Sequence, residues 1–319
     1  MKRGMIQMKI NFEDKFKELN SISDILKKVE SNNKVKIFYG LSKEGKKRLA
    51  FLSTLVPEQI ESTKMIGVSY YKDNENLNWL SFDLENNNFS NLFYTFCSDI
   101  VNSLSNLNDE AQELNYLKKR FYNWKKMFQN VSIKELSEEK EQGLYGELYF
   151  LYKYMIPKYG VDVAVTSWAG PHKFNKDFSV DETWYELKTS SVNATTVEIR
   201  SINQLDSDKI GYLSVVKVEK MSPEYKGKLS SVFDLIQVIM NEISSINVQD
   251  DFLNKLIESG VGPENNFGSR RYDMKNIILY EVSNDFPRLT KSTIIFNEIE
   301  NVTYTINLSG IERFKTEEL

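Results

Sequence analysis

The sequence predicts a mixed fold, α+β in its N-terminal part and α/β further on, and three observations carry the prediction. Alternating apolar and polar stretches lie between residues 35 and 82. Apolar stripes at helical spacing cover 11–30, 89–105, 108–129, 132–155 and 230–259. A strand–turn–strand pattern spans 176–189. The 319 residues amount to about two domains' worth of chain. We divide them into an N-terminal α+β region, 1–130, a central region, 131–220, and a C-terminal helical and β extension, 221–319.

Taken in order, Phe12, Phe16, Leu19, Ile22, Ile25, Leu26 and Val29 recur at helical spacing and predict a helix over 11–30. Residues 35–39, 49–52, 65–71 and 77–82 then predict a small antiparallel sheet, followed by helices over 89–105 and 108–129. Residues 40–47 imitate a phosphate-binding loop, but Lys47 replaces the hydroxyl residue that would hold Mg²⁺. The next segment, Arg48 to Thr54, reads as a strand rather than the helix such a loop must open, so a hairpin turn is predicted.

Charge is uneven. Residues 1–50 carry 13 basic and 6 acidic side chains, and 73–115 carry eight acidic and no basic ones. Residues 116–126 then interleave five basic side chains with aromatics. Lys118, Lys119, Arg120 and Lys125 are candidates for contact with a phosphate backbone; an ordinary amphipathic helix with a solvated basic face gives the same pattern.

Composition excludes several chemistries. The formal charge of −4 argues against a strongly basic nucleic-acid coat. Cys97 is the single cysteine and His172 the single histidine, so a disulfide, a cysteine zinc cluster and a paired-histidine metal site are all ruled out within the chain. No Gly-x-Ser-x-Gly elbow is present to serve a serine triad. Hydrolytic chemistry must therefore run on carboxylates, lysines and a hard metal ion. No apolar run approaches the roughly 18 residues of a membrane span, and a cytoplasmic protein without membrane contact is expected.

The middle of the chain supplies those groups. In the helix predicted over 132–155, Leu136, Leu144, Leu148, Leu151 and Met155 form the apolar stripe. Glu147 falls within it, where a carboxylate is costly unless it is paired, binds metal, or reaches solvent at the border. Gly143 and Gly146 would let this helix approach a sheet closely. Residues 161–165 alternate like a strand, 167–171 read as a turn, and 176–180 and 183–189 alternate like two strands joined at Asp181-Glu182. Alternation puts Glu186 and Lys188 on one face, and pairing of the two strands brings Asp177 close to Glu186.

Two carboxylates can hold Mg²⁺ with positions left open for water and phosphate, while a lysine stabilises developing negative charge. Glu147 could complete the metal shell directly or through water. By spacing alone, the same residues also fit a surface strand with a cross-strand ion pair, because Glu-x-Lys recurs at Glu13, Glu44, Glu138 and Glu224.

The ordered series is more specific than its parts. It runs Gly143-Leu144-Tyr145-Gly146-Glu147-Leu148, Trp168-Ala169-Gly170-Pro171, Asp177-Phe178, Glu186-Leu187-Lys188-Thr189-Ser190 and Ser201-Ile202-Asn203-Gln204-Leu205. With Asp285-Phe286-Pro287-Arg288-Leu289 and Val302-Thr303-Tyr304, it resembles the PD-(D/E)XK motif protein family of bacterial restriction and phage-defence gene clusters. The resemblance covers most of the chain and implies a restriction-endonuclease-like core (helix, three strands, helix, strand) within 131–220.

Position by position, the resemblance implies Asp177, Glu186 and Lys188 as the motif and Gln204 as a further catalytic residue at the start of the second core helix, capped by Ser201. It implies Glu147, Asp177 and Glu186 as metal ligands, Mg²⁺ as the cofactor with Mn²⁺ able to substitute, and DNA as the substrate. Cutting a duplex on both strands generally needs two active sites, which points to a homodimer or to other defence-system subunits as partners. A catalytically inactive, nuclease-fold DNA-binding or assembly subunit is the alternative. The chain departs from the motif at Lys176, which stands where the motif has proline, and at Asp208, where a related extension has tyrosine.

Near the motif, His172 is an ordinary loop residue, a DNA contact or an auxiliary proton carrier, and Trp168 packs beneath the site or stacks on substrate. Residues 212–218 are expected to close the sheet, and the last fifty residues alternate like strands. Arg270 and Arg271, after a loop over 260–269, contact phosphate or form a solvated pair.

Overall fold

The computed structural model describes residues 10–19, 25–104, 107, 109–129, 136–170, 176–261, 270–294, 298–299 and 301–319. Two compact units result, Met1–Ile133 with Gly262–Glu264 and Lys134–Val261 with Asn265–Leu319. Among the described residues no helix is long and apolar enough to cross a membrane.

In the first unit, helix α1 (Phe12–Lys17) precedes strands β1 (Ile25–Lys28), β2 (Lys36–Leu41), β3 (Lys47–Ser53), β4 (Ile66–Lys72) and β5 (Asn78–Leu84). The strands form one antiparallel sheet in the order β1-β2-β3-β5-β4. Helices α2 (Ser90–Leu104) and α3 (Glu110–Gln129) pack on it through Phe96 and Phe121, both against Phe82. The loop at 42–46 is the expected hairpin: Ser42 N–H donates to the Lys46 carbonyl at 2.8 Å, and Gly45 takes the left-handed φ of 76°.

The helix expected over 11–30 is corrected. It ends at a C-cap on Glu18, and Ile25–Lys28 instead pairs with β2. A strand neighbour satisfies this segment's backbone and outweighs its helical periodicity.

In the second unit a long helix comprises α4 (Glu138–Phe150), a π-helical turn (Leu151–Met155) and α5 (Ile156–Tyr159). It starts later than the sequence suggests, because Ser137 caps it by accepting from Lys140 N–H. Next come α6 (Val161–Ser167), β6 (Phe178–Val180), β7 (Thr183–Ser191), β8 (Thr196–Ile199) and β9 (Ile210–Met221). Then come α7 (Val232–Glu242), α8 (Ile246–Glu258), β10 (Arg271–Glu281), β11 (Tyr304–Asn307) and β12 (Lys315–Glu318). The main sheet runs β12-β10-β9-β7-β6, with β7 and β9 parallel and the other pairs antiparallel. β8 and β11 form a separate ribbon.

This is a mixed α and β architecture consistent with a restriction-endonuclease-like fold. Three local expectations change. Residues 161–165 are helical, because Ala164, Val165 and Trp168 bury one side at helical spacing after Gly160 breaks the preceding helix at φ 81°. β9 does not close the sheet, since β10 and β12 extend it on the far side. The second core helix is a single 3₁₀ turn, Ile202–Gln204, capped by Ser201 as expected.

Gly146 explains how α4 meets the sheet. A Cβ there would overlap the Thr189 side chain, so only glycine admits this approach of helix to strand. Gly143 faces open space and plays no such part. β7 therefore turns Tyr185 towards Phe150 of α4, at 5.6 Å between rings. Its alternate residue Trp184 joins the opposite core with Val197, Leu213 and Val215.

Candidate functional site

The β6–β7 hairpin brings Asp177 to Glu186. Asp177 N–H donates to the Tyr185 carbonyl at 3.1 Å, and Asp177 Oδ2 accepts from Leu187 N–H at 2.6 Å. The carboxylate is thus tied to the backbone of the strand that carries Glu186 and Lys188. On that strand Lys188 Nζ lies 2.9 Å from Glu186 Oε1, the one-face relationship that alternation predicts. Glu147, on α4, accepts from Trp168 Nε1 at 2.8 Å and is near enough to feel the charges of Asp177, Glu186 and Lys188.

Electrostatics bind these groups into one site. Burial, then the Asp177 carboxylate, pushes Glu186 up to about 8 against the pull of Lys188. Desolvation by the surrounding protein, then Asp177, likewise raises Glu147, against the Trp168 hydrogen bond. Asp177 is raised by desolvation, opposed by Leu187 N–H, Lys188 and Lys176. Glu186 is only 2% exposed, whereas Glu147 and Asp177 keep some accessible surface. Crowded carboxylates take up protons when no cation neutralises them.

Gln204 joins through Lys188. Its Oε1 accepts from Lys188 Nζ at 3.1 Å and from Arg200 N–H at 2.8 Å, which fixes the amide and aims the ammonium. The 3₁₀ turn that presents Gln204 is held by Lys176, whose Nζ donates to the carbonyls of Asn203 (2.9 Å), Gln204 (2.6 Å) and Asp206 (3.3 Å). The same ammonium sits 3.8 Å from the Trp184 ring centroid. Burial lowers Lys176 to about 8.

Sequence reasoning reads Lys176 only as a missing proline and does not connect Trp168 with Glu147. The hairpin register sets Trp184 opposite Ser179, so nothing local signals the contacts of Lys176 with the 203–206 turn. Trp168 is fully buried against Phe252, so it packs beneath the site rather than stacking on substrate. His172 lies outside the described residues.

Of the cations expected to meet phosphate, Lys119 is exposed. Lys118 pairs with Glu58, and Lys125 with Glu61 at 2.6 Å. Arg120 is corrected: it is 1% exposed and makes a two-pronged 2.6 Å pair with Asp99, which also accepts from Trp124 Nε1. It is a core cation and offers phosphate no surface. Arg270 pairs with Glu141 and donates to the Leu136 carbonyl at 3.2 Å, and Arg271 approaches Asp234 at 3.4 Å. Neither is a simple solvated pair.

The family model described as "Putative PD-(D/E)XK family member, (DUF4420)" matches residues 12–309. The chain belongs to this family. No curated protein and no solved structure matches it. Membership makes a nuclease-like function the coarse reading, and nucleases of this motif generally use divalent metal ions.

The donor set suits such an ion. A hard divalent cation would let the crowded carboxylates ionise. Among the described residues no group of three or more His, Cys, Asp or Glu side chains is close enough to cage a metal. Mg²⁺ commonly takes one or two carboxylates and keeps several waters, so a pair such as Asp177 and Glu186 would be donors enough without a closed cage.

Proposed function

We propose that the protein is a Mg²⁺-dependent DNA endonuclease, or the nuclease subunit of a bacterial restriction or phage-defence system. The observation that carries the reading is the convergence of Asp177, Glu186 and Lys188 on adjoining strands, with Glu147 arriving from α4. Asp177 and Glu186 would hold the ion, with Glu147 beside them. When bound, the ion polarises the phosphate and makes water a better nucleophile.

The chain's own groups do the remaining work. Lys188, steered by Gln204 and Glu186, presents its ammonium to developing negative charge on the phosphoryl oxygens. Lys176 keeps the Gln204 turn in place, and Trp168 keeps Glu147 aimed at the site. Both act by positioning. The family likeness favours DNA over RNA, and a homodimer or further defence subunits would supply the second active site for a duplex cut. Purified full-length protein should nick or linearise plasmid DNA with Mg²⁺ or Mn²⁺, and EDTA should stop it. A folded protein that cuts neither plasmid nor single-stranded DNA with either metal would instead favour the inactive DNA-binding or assembly subunit.

A further inference from the structure

A cavity of about 650 Å³ opens beside the long helix, on the side away from Glu147. Tyr149 lies two residues after Glu147, about 200° further round the helix. Together with Tyr152 it forms one wall, and Tyr225 on the loop between β9 and α7 faces them. The volume falls inside the range of about 300–1,000 Å³ usual for small-molecule sites.

The loop is held in place. Tyr145 hydroxyl donates to the Leu229 carbonyl at 2.9 Å, and Tyr272 N–H to the Ser230 carbonyl at 2.7 Å. Leu229 takes a left-handed φ of 55°, a conformation that a leucine keeps only when its surroundings impose it. Lys226 and Lys228 project from this loop into solvent at the rim, and Lys153 stands beside Tyr152, 4.9 Å from its ring centroid. Among the described residues, none of these three lysines is ion-paired with a carboxylate. Arg271 lines the cavity too, and its buried Nε has no hydrogen-bond partner among the described residues. Asp234 is the acid in the lining, engaged by Ser231 N–H at 3.0 Å and by Arg271 Nη1 at 3.4 Å.

We propose that this cavity binds a nucleotide, with the tyrosines stacking on the base and the lysines meeting the phosphate. Stacking on phenol rings combined with cationic contacts is how proteins hold unpaired nucleotides irrespective of sequence. An anion alone would need no aromatic wall, and an apolar ligand would need no lysine rim. The base comes from a nucleic-acid strand or from a free nucleotide; only the strand source rests on the nuclease reading.

The test is fluorescence-anisotropy binding by the full chain carrying Asp177→Ala, in EDTA, so that neither cleavage nor the metal site contributes. The probes are a labelled twelve-residue oligothymidylate and labelled ATP, each challenged with unlabelled oligothymidylate and with tripolyphosphate. Binding that Tyr225→Ala weakens about tenfold, and Lys226→Glu/Lys228→Glu weakens at least as much, supports the site. The Lys pair is exposed, so that variant should melt like its parent. Tighter binding of the oligonucleotide identifies the strand as the source, and equal or tighter binding of ATP the free nucleotide. Binding of neither probe, parental affinity in both variants, or tripolyphosphate competing as well as the unlabelled oligonucleotide overturns the proposal. Absence of plasmid cleavage by the folded wild-type protein with Mg²⁺ or Mn²⁺, with binding intact, would sink the nuclease reading and leave this one standing.

Discussion

Lys188 Nζ and Gln204 Oε1 lie 3.1 Å apart, joining the last residue of the motif to a turn sixteen residues further along the chain. An ammonium on a flexible four-carbon stem is a poor electrostatic catalyst unless something fixes where it points. Here Glu186 and Gln204 hold it from two sides. Gln204→Ala should therefore lower kcat by about tenfold, the effect of losing one hydrogen bond to a charged group, while KM changes little. Single-turnover cleavage rates at saturating DNA check this.

Lys176 should matter through the turn. Lys176→Met keeps the stem against Trp184 but leaves the carbonyls of Asn203, Gln204 and Asp206 without their ammonium. We expect a loss of about 1–3 kcal/mol in urea unfolding, together with slower cleavage. Unchanged stability would show that water satisfies those carbonyls equally well.

Trp168→Phe preserves most of the buried ring but removes the donor to Glu147. Cleavage should fall by several-fold to about tenfold. Secondary structure, followed by circular dichroism, should be retained.

Gly146→Ala sets two effects against each other. Alanine favours a helix interior by about 1 kcal/mol, but its Cβ would overlap Thr189. The steric conflict should win, with a net destabilisation of about 1–3 kcal/mol in chemical denaturation, and Thr189→Ala in the same chain should restore part of it.

Arg120→Ala should damage the first unit rather than DNA binding. It strands Asp99 in the core without its partner, a loss of about 3–5 kcal/mol, whereas Lys119→Ala at an exposed position should stay within about 0.5 kcal/mol. Thermal melts of the two variants make the comparison.

Features with local causes are legible in the sequence, and those with distant causes are not. Alternation around Asp181-Glu182 is enough to put Asp177 next to Glu186, because a hairpin has only one sensible register for these strands. Gly146 before Glu147 in an apolar stripe is enough to suggest a helix pressed on a sheet. The Arg120 pair with Asp99 cannot be read, since it joins two helices and nothing in a basic, aromatic run says which cation turns inward. The helical state of 161–167 is legible but outweighed by β-branched alternation; Val161, Ala164, Val165 and Trp168 already carry the helical period. Lys176 depends on a turn that folds back from residues 203–206, a long-range contact invisible to local pattern.

The central claim, a metal-dependent nuclease site at Asp177, Glu186 and Lys188, is tested most directly by plasmid cleavage. Wild type, Asp177→Ala and Lys188→Ala, each verified as folded, would be compared at equal concentration with Mg²⁺ and with EDTA. The account predicts Mg²⁺-dependent cutting by the wild type and a loss of at least about a hundredfold in both variants, with no cutting in EDTA. Cutting by both variants at the wild-type rate would contradict it.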